Sequence, residues 1–194
     1  TCVLCGLGNV SFPNASRCEP CHGAKYVDEL FMSPMDCKSC DGGKRVRSDG
    51  AGCDVCGVGR YSNAERTACD PCPTGRWGRD PGLSSSDSCL ACLPGTYGVQ
   101  SGATSAETAC ALCEHGMIRQ FHQAECRACD AGTYANEKRT ECLPCDAGAH
   151  GKDKGRTTSA CSGLCPVGKY SARYATSCTL CEVGKHNPSV GRKD

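Results

Sequence analysis

Cysteine spacing constrains this chain more than any other feature. Its 22 cysteines fall into eleven close pairs along 194 residues. Ten are C-x-x-C, opening at Cys2, Cys18, Cys37, Cys53, Cys69, Cys89, Cys110, Cys126, Cys142 and Cys178, while Cys161 and Cys165 enclose one extra residue. Successive pairs open 16, 19, 16, 16, 20, 21, 16, 16, 19 and 17 residues apart. A glycine stands three residues after the second cysteine in ten of the eleven units, from Gly8 to Gly184, and the exception is CHGAKY, where Gly23 comes one place early. Glycine there suits a positive φ or a close backbone approach. A short unit repeated at a near-fixed period is an array rather than a conventional domain.

Composition explains why the cysteines are needed. Leu, Ile, Val and Phe together number 24 of 194 residues, too few for a packed apolar core. The formal net charge is only +1, so the chain lacks the charge excess of a disordered segment. Covalent links must replace the core, which places the protein in an oxidising, extracellular or cell-surface setting. No stretch is long and apolar enough to be read as a membrane span. Starting one residue before Cys2 and stopping inside the unit opened by Cys178 and Cys181, the chain reads as a window on a longer one.

The expected fold is small and disulfide-rich: an elongated tandem array of short two-stranded β units with almost no helix. The array runs continuously over 1–194, with units opening near residues 2, 18, 37, 53, 69, 89, 110, 126, 142, 161 and 178. Each unit has a short strand on either side of a turn, G-x-Y-S leading in and T-x-C leading out. Two residues past the glycine stands a large side chain in most units, among them Tyr26, Tyr61, Trp77, Tyr97, Tyr134 and Tyr170. The simplest reading is that each ring covers its own unit's disulfide. A longer period overlies the short one. Residues 37–82 realign on 110–155 at a constant offset of 73, matching six cysteines, Gly59 with Gly132, Tyr61 with Tyr134 and Arg66-Thr67 with Arg139-Thr140. The corresponding super-repeats are 37–109 and 110–177.

Three chemistries compete for the cysteine pairs. Two C-x-x-C pairs at this separation match the thiolate set of a zinc ribbon, and a single C-x-x-C suits redox exchange. Structural disulfides need neither a reducing compartment nor a βαβ scaffold. The most economical pairing joins the second cysteine of each pair to the first of the next: Cys5–Cys18, Cys21–Cys37, Cys40–Cys53, Cys56–Cys69, Cys72–Cys89, Cys92–Cys110, Cys113–Cys126, Cys129–Cys142, Cys145–Cys161 and Cys165–Cys178. It leaves Cys2 and Cys181 without partners. Each bridge closes a loop worth about 3 kcal/mol on the chain-entropy model. An interlocked scheme, first with third and second with fourth, competes with it.

At CDPCPTGRWGRDPGLSSSDSCLAC and CLPGTYGVQSGATSAETACALC the pattern resembles the ephrin-receptor-like cysteine-rich repeats, and more distantly tumour-necrosis-factor-receptor modules. The resemblance implies an extracellular rod of disulfide-stapled β units, with which sequential pairing agrees. CSGLC and CHGAKY depart from the pattern.

No catalytic constellation emerges, and the chain is read as non-enzymatic without a cofactor or metal. His22, His115, His122, His150 and His186 occupy differing places in their units. Asp80 and Asp153 sit in G-R/K-D-x-G turns that offer one carboxylate each, too few for calcium. Lys44-Arg45-Arg47 and Lys152-Lys154-Arg156 are solvated loop clusters, with a polyanionic glycan as their functional alternative. Two sequons, Asn9-Val10-Ser11 and Asn14-Ala15-Ser16, are candidate N-glycosylation sites. Ser84-Ser85-Ser86 and Thr157-Thr158-Ser159 are equivalent candidates for O-glycans. The expected role is an extracellular structural or adhesive repeat protein, a segment of a surface appendage or fibre-forming glycoprotein. Its partners would be further copies of itself or other extracellular proteins, and not nucleic acid. A receptor ectodomain binding a protein ligand is the first alternative; an intracellular zinc-binding array is the second.

Overall fold

The computed structural model describes residues 3–30, 36–120 and 125–192; Cys2 and His122 lie outside them. The chain is a small disulfide-rich fold, 4% helical, and its described residues form ten two-stranded antiparallel hairpins. The ten bridges run from the second cysteine of one pair to the first of the next, with Cα–Cα distances of 5.5–6.0 Å. Each bridge and the loop it closes form one rung. Short helical turns, Ser86–Ser88 and Ala106–Ala109, lie in the two longest loops. The rungs fall into two compact units, one reaching Ala91 and resuming over Val99–Ala109, the other comprising Cys92–Gly98 and the chain from Cys110 onward.

Every hairpin follows one local plan. In the Cys56–Cys69 rung Arg60–Ser62 pairs with Cys69–Pro71, and Tyr61 faces Asp70. In the Cys129–Cys142 rung Thr133–Ala135 pairs with Cys142–Pro144, and Tyr134 faces Leu143. The outgoing strand therefore begins at the cysteine, not at the threonine two residues earlier. That threonine belongs to the turn. Asn63 Oδ1 accepts the Thr67 backbone N–H at 2.9 Å, and Asn63 Nδ2 donates to the Thr67 hydroxyl at 2.9 Å. Asn136 does the same for Thr140 at 2.9 and 3.1 Å. An asparagine bonding backbone a few residues ahead replaces turn contacts that a short loop cannot supply.

The two departures from the pattern are absorbed locally. In CHGAKY the place three after the second cysteine is filled by Ala24 itself at φ 54°, with Gly23 before it at φ 70°. In CSGLC the extra residue is taken up by Cys161 at φ 51° and Gly163 at φ 141°. Gly163–Leu164 still pairs with Ala149–His150.

What is buried is narrow. The second cysteines Cys40, Cys56, Cys72, Cys92, Cys113, Cys129, Cys145 and Cys165 are all at most 2% exposed. A second recurrently buried position is three residues past the glycine, occupied by Ser62, Arg119, Ala135, Ser171 and Asn187, with Val27 three past Ala24. At Gly151, which holds the same place, an added Cβ would lie 2.7 Å from Cys145 Sγ. At Gly78 the added Cβ would likewise lie 3.2 Å from Cys72 Sγ, so in both rungs this position lies against the rung's own disulfide. Tyr97 stands 37% exposed, and the His150 ring approaches Cys178 of the next bridge, Nδ1 to Sγ 3.4 Å. At the ring place of its own rung Ile118 is 1% exposed and clusters with Cys129 and Ala135.

Within each unit the rungs are joined by main-chain hydrogen bonds. The glycine N–H of one rung donates to the buried residue of the next: Gly8 to Val27, Gly59 to Gly78, Gly95 to Arg119, Gly132 to Gly151 and Gly148 to Ser171, at 2.7–3.1 Å. For Gly43 the acceptor is the Ser62 hydroxyl, at 2.9 Å. The N–H at this same place in the rung donates in turn to the following loop, as in Val46 to Arg66, Ser62 to Leu83, Arg119 to Arg139, Ala135 to Arg156 and Gly151 to Ala175. A third bond returns from a turn glycine to the second cysteine: Gly82 to Cys56, Gly102 to Cys72, Gly155 to Cys129 and Gly191 to Cys165. These bonds satisfy backbone groups that two-residue strands would otherwise leave unpaired.

Contact also reaches one rung further. A Cβ at Gly43 would lie 2.0 Å from the Gly82 carbonyl oxygen, at Gly59 2.4 Å from that of Gly102, at Gly116 1.9 Å from that of Gly155, and at Gly132 2.3 Å from that of Tyr174. Each acceptor belongs to the loop two rungs ahead. Glycine is required here by close backbone approach as well as by positive φ.

Candidate interaction surface

The 73-residue offset is a repeat of geometry. Gly59 to Gly78 is 2.7 Å and Gly132 to Gly151 2.8 Å; Gly82 to Cys56 is 2.7 Å and Gly155 to Cys129 2.8 Å. Arg66 and Arg139 take φ 58° and 57°, and the parallel bridges Tyr61–Leu83 and Tyr134–Arg156 correspond. The two copies differ in and beside corresponding strands, where a partly exposed arginine gives way to the buried Ile118. Lys44, Arg45, Arg47 and Arg60 of the first copy are replaced by Met117, Ile118, Gln120 and Thr133 in the second.

The basic clusters do not form bare cationic patches. Lys44 bonds Asp41 at 3.0 Å, Arg45 reaches Asp54 at 3.5 Å, and Arg47 meets Asp49 at 2.9 Å. Lys154 bonds Asp130 at 2.8 Å, and Arg156 pairs with Asp153. The Lys44 ammonium hydrogen-bonded to Asp41, and that of Lys154 bonded to Asp130, hold both carboxyls below the usual aspartate range. Asp80 bonds Arg79 at 3.2 Å. Both G-R/K-D-x-G segments are tight turns whose closing glycines, Gly82 and Gly155, belong to the rung ladder.

The bridged cysteines overturn the zinc-array alternative, because a tetrahedral site needs free thiolates. His150 lies close to Cys165 and Cys178, but those two sulfurs are bonded to each other. Cys181 is free and half-buried, beside a cavity of about 300 Å³ lined by Tyr170, Lys185, His186 and Asn187. The remaining histidines stay apart: His22 is 3.9 Å from Glu19, His115 lies 3.3 Å from Arg139, and His186 is exposed. The sequons sit in one loop but in different settings. Asn9 is half-buried in a strand opposite Pro20, whereas Asn14 is exposed in a turn at φ 64°. Ser84–Ser86 and Thr157–Ser159 lie on corresponding loops, and all but Ser86 and Ser159 are exposed.

Two features escaped sequence reasoning. The buried position three past the glycine varies from Gly to Arg, so no residue type marks it; only its fixed distance from the cysteine does. The asparagine clamp was signalled by Asn four before Thr in both copies.

This geometry has a counterpart among known families. Residues 59–110 match the family model described as tyrosine-protein kinase ephrin type A/B receptor-like. The matched stretch is similar to an ephrin-receptor-like cysteine-rich domain. Beyond it the same rung plan continues on both sides. A comparison with curated proteins finds no match. No helix among the described residues is long and apolar enough to cross a membrane. The ten disulfides and the ephrin-receptor-like match fit an extracellular location.

Proposed function

We propose that this chain is a structural or adhesive repeat segment of an extracellular glycoprotein, part of a surface appendage or fibre, and that it performs no catalysis. The observation that carries the reading is the ladder of rung-to-rung main-chain bonds, of which those from Val46, Gly59, Ser62 and Gly82 recur to within 0.2 Å at Arg119, Gly132, Ala135 and Gly155. Such a chain commits its backbone to its own neighbours and keeps its spacing where surface residues change. Self-association into a fibre would extend that spacing, and glycans in the Cys5–Cys18 loop at Asn9 or Asn14, with O-glycans at Ser84–Ser86 and Thr157–Ser159, would coat it.

A second reading is a receptor ectodomain binding a protein ligand. It is favoured by the ephrin-receptor-like match and by the charges at Lys44, Arg45, Arg47 and Arg60, which break the period in one copy. Electron microscopy of native material separates the two. Ordered filaments or sheets are expected; solitary particles with one saturable protein ligand would replace the fibre reading by the receptor one.

A further inference from the structure

The Cys5–Cys18 loop carries two sequons, and the fold treats them differently. Asn9 lies in the Asn9–Val10 strand between buried Gly8 and buried Val10, and its Nδ2 donates to the Leu7 carbonyl at 3.3 Å. A sugar on that nitrogen would have to break the bond and pass the strand edge. Asn14 has no such tie. Phe12, Pro13, Asn14 and Ala15 form a turn closed by the Ala15 N–H donating to the Phe12 carbonyl at 3.1 Å. Pro13 presets the first central residue of the turn, and Asn14 takes the second at φ 64°, a left-handed conformation that asparagine tolerates better than other non-glycine residues. Asn14 and Ser16 are both exposed.

The array shows that a large substituent fits there. Tyr174 stands nine residues after the opening cysteine of its rung, as Asn14 does, with φ 66°. It is 61% exposed while the ladder around it stays intact.

Phe12 is the second observation. At the first position of the equivalent turns the chain has Asn63, Asn136 or Ala172. Here it has a phenylalanine that is 57% exposed, at the edge of a cavity of about 220 Å³ with Val10, Pro20 and His22. An aromatic ring left open two residues before an exposed sequon presents an apolar face to whatever Asn14 carries. The C–H face of a pyranose is the complementary surface.

We propose that Asn14, and not Asn9, is N-glycosylated, and that its first N-acetylglucosamine packs on the Phe12 ring and stabilises the turn. This rests on the extracellular glycoprotein reading. In the transfer, Asn14 Nδ2 forms a bond to C1 of the first sugar and loses one proton. The bond from C1 to the lipid-diphosphate donor breaks, and lipid diphosphate leaves.

The test is secretion of the chain from a eukaryotic cell, followed by glycopeptide mass spectrometry and amide exchange. Occupancy is expected at Asn14, with Asn9 unmodified. Phe12→Ser is expected to speed exchange of the Ala15 amide about three- to tenfold in the glycosylated chain. In an Asn14→Gln background the same substitution should leave that rate unchanged. Occupancy at Asn9, absence of glycan at both sites, or an equal Phe12→Ser effect in the two backgrounds would overturn the proposal. None of these outcomes bears on the fibre reading, which microscopy decides separately.

Discussion

Gly132→Ala isolates what the glycine after each cysteine pair contributes. Gly132 has φ 81°, and an added Cβ would lie 2.3 Å from the Tyr174 carbonyl oxygen and 3.0 Å from its carbon. Holding alanine in that conformation costs about 1–2 kcal/mol. The clash is with backbone, so no side chain can rotate away. Relief requires moving Tyr174, which loosens the Tyr174 to Cys145 and Gly151 to Ala175 bonds, worth about 1 kcal/mol each. The sum, about 3–4 kcal/mol, corresponds to roughly 100- to 1000-fold more frequent local opening. Native-state hydrogen exchange at the Gly151 and Tyr174 amides reads it directly, since the disulfides keep the chain from unfolding globally. Gly168→Ala is the control: φ is 75° but nothing lies within 4 Å of the added Cβ. Only the conformational cost of about 1–2 kcal/mol applies there, roughly tenfold, read at the Cys181 amide that donates to Gly168. Ala24, at φ 54°, shows that the native chain bears that cost at one such glycine place. Equal effects of the two substitutions would refute the argument that glycine is kept for the carbonyl two rungs ahead.

Other predictions are independent of that one. Asn63→Ala and Asn136→Ala should each cost about 1–2 kcal/mol locally and expose the Thr67 and Thr140 amides equally in exchange; effects at one copy alone would contradict a structural period. Arg119 is 8% exposed, donates to the Thr96 carbonyl at 2.8 Å and has no carboxylate partner among the described residues. Arg119→Met should therefore change stability by less than about 1 kcal/mol in thermal unfolding. The Asp130 carboxyl is held low by hydrogen bonding to Lys154. Its contribution is present above its unfolded pKa and is lost as pH falls through the folded value, so Lys154→Gln should move the Asp130 NMR titration upward and flatten only the acid side. A chelator should leave the circular dichroism spectrum unchanged, while a reductant strong enough to open the bridges should abolish it.

The fold class was readable from the sequence because the cysteines do two jobs at fixed intervals, closing a loop and setting a rung. The strand positions were readable for the same reason, apart from Thr67 and Thr140, whose side of the turn depends on an asparagine contact no periodicity reveals. One buried position carried no residue-type signal. Tyr61, Trp77 and Tyr134 catch the eye, yet the residues that follow them, Ser62, Gly78 and Ala135, are the more buried. That position is chosen for the room left beside a disulfide, and that admits types as different as Val27 and Arg119. The surface was least legible, since pairing of Arg45 with Asp54 or Lys154 with Asp130 depends on strand register and loop reach rather than on sequence neighbours.

The reach of Gly43, Gly59, Gly116 and Gly132 to the loop two rungs ahead has a mechanical consequence. In a chain of units that touch only their nearest neighbours, one joint can open while the rest stay closed. Here a joint between adjacent rungs is bridged by a third. Bending at Cys145 must also shift Gly132 against Tyr174, and bending at Cys72 must shift Gly59 against Gly102. Flexure within either unit is therefore shared over at least two joints. A run of rungs with scarcely any core can resist bending within its own unit in this way, much as overlapping courses stiffen a wall that stacked ones would leave free to hinge.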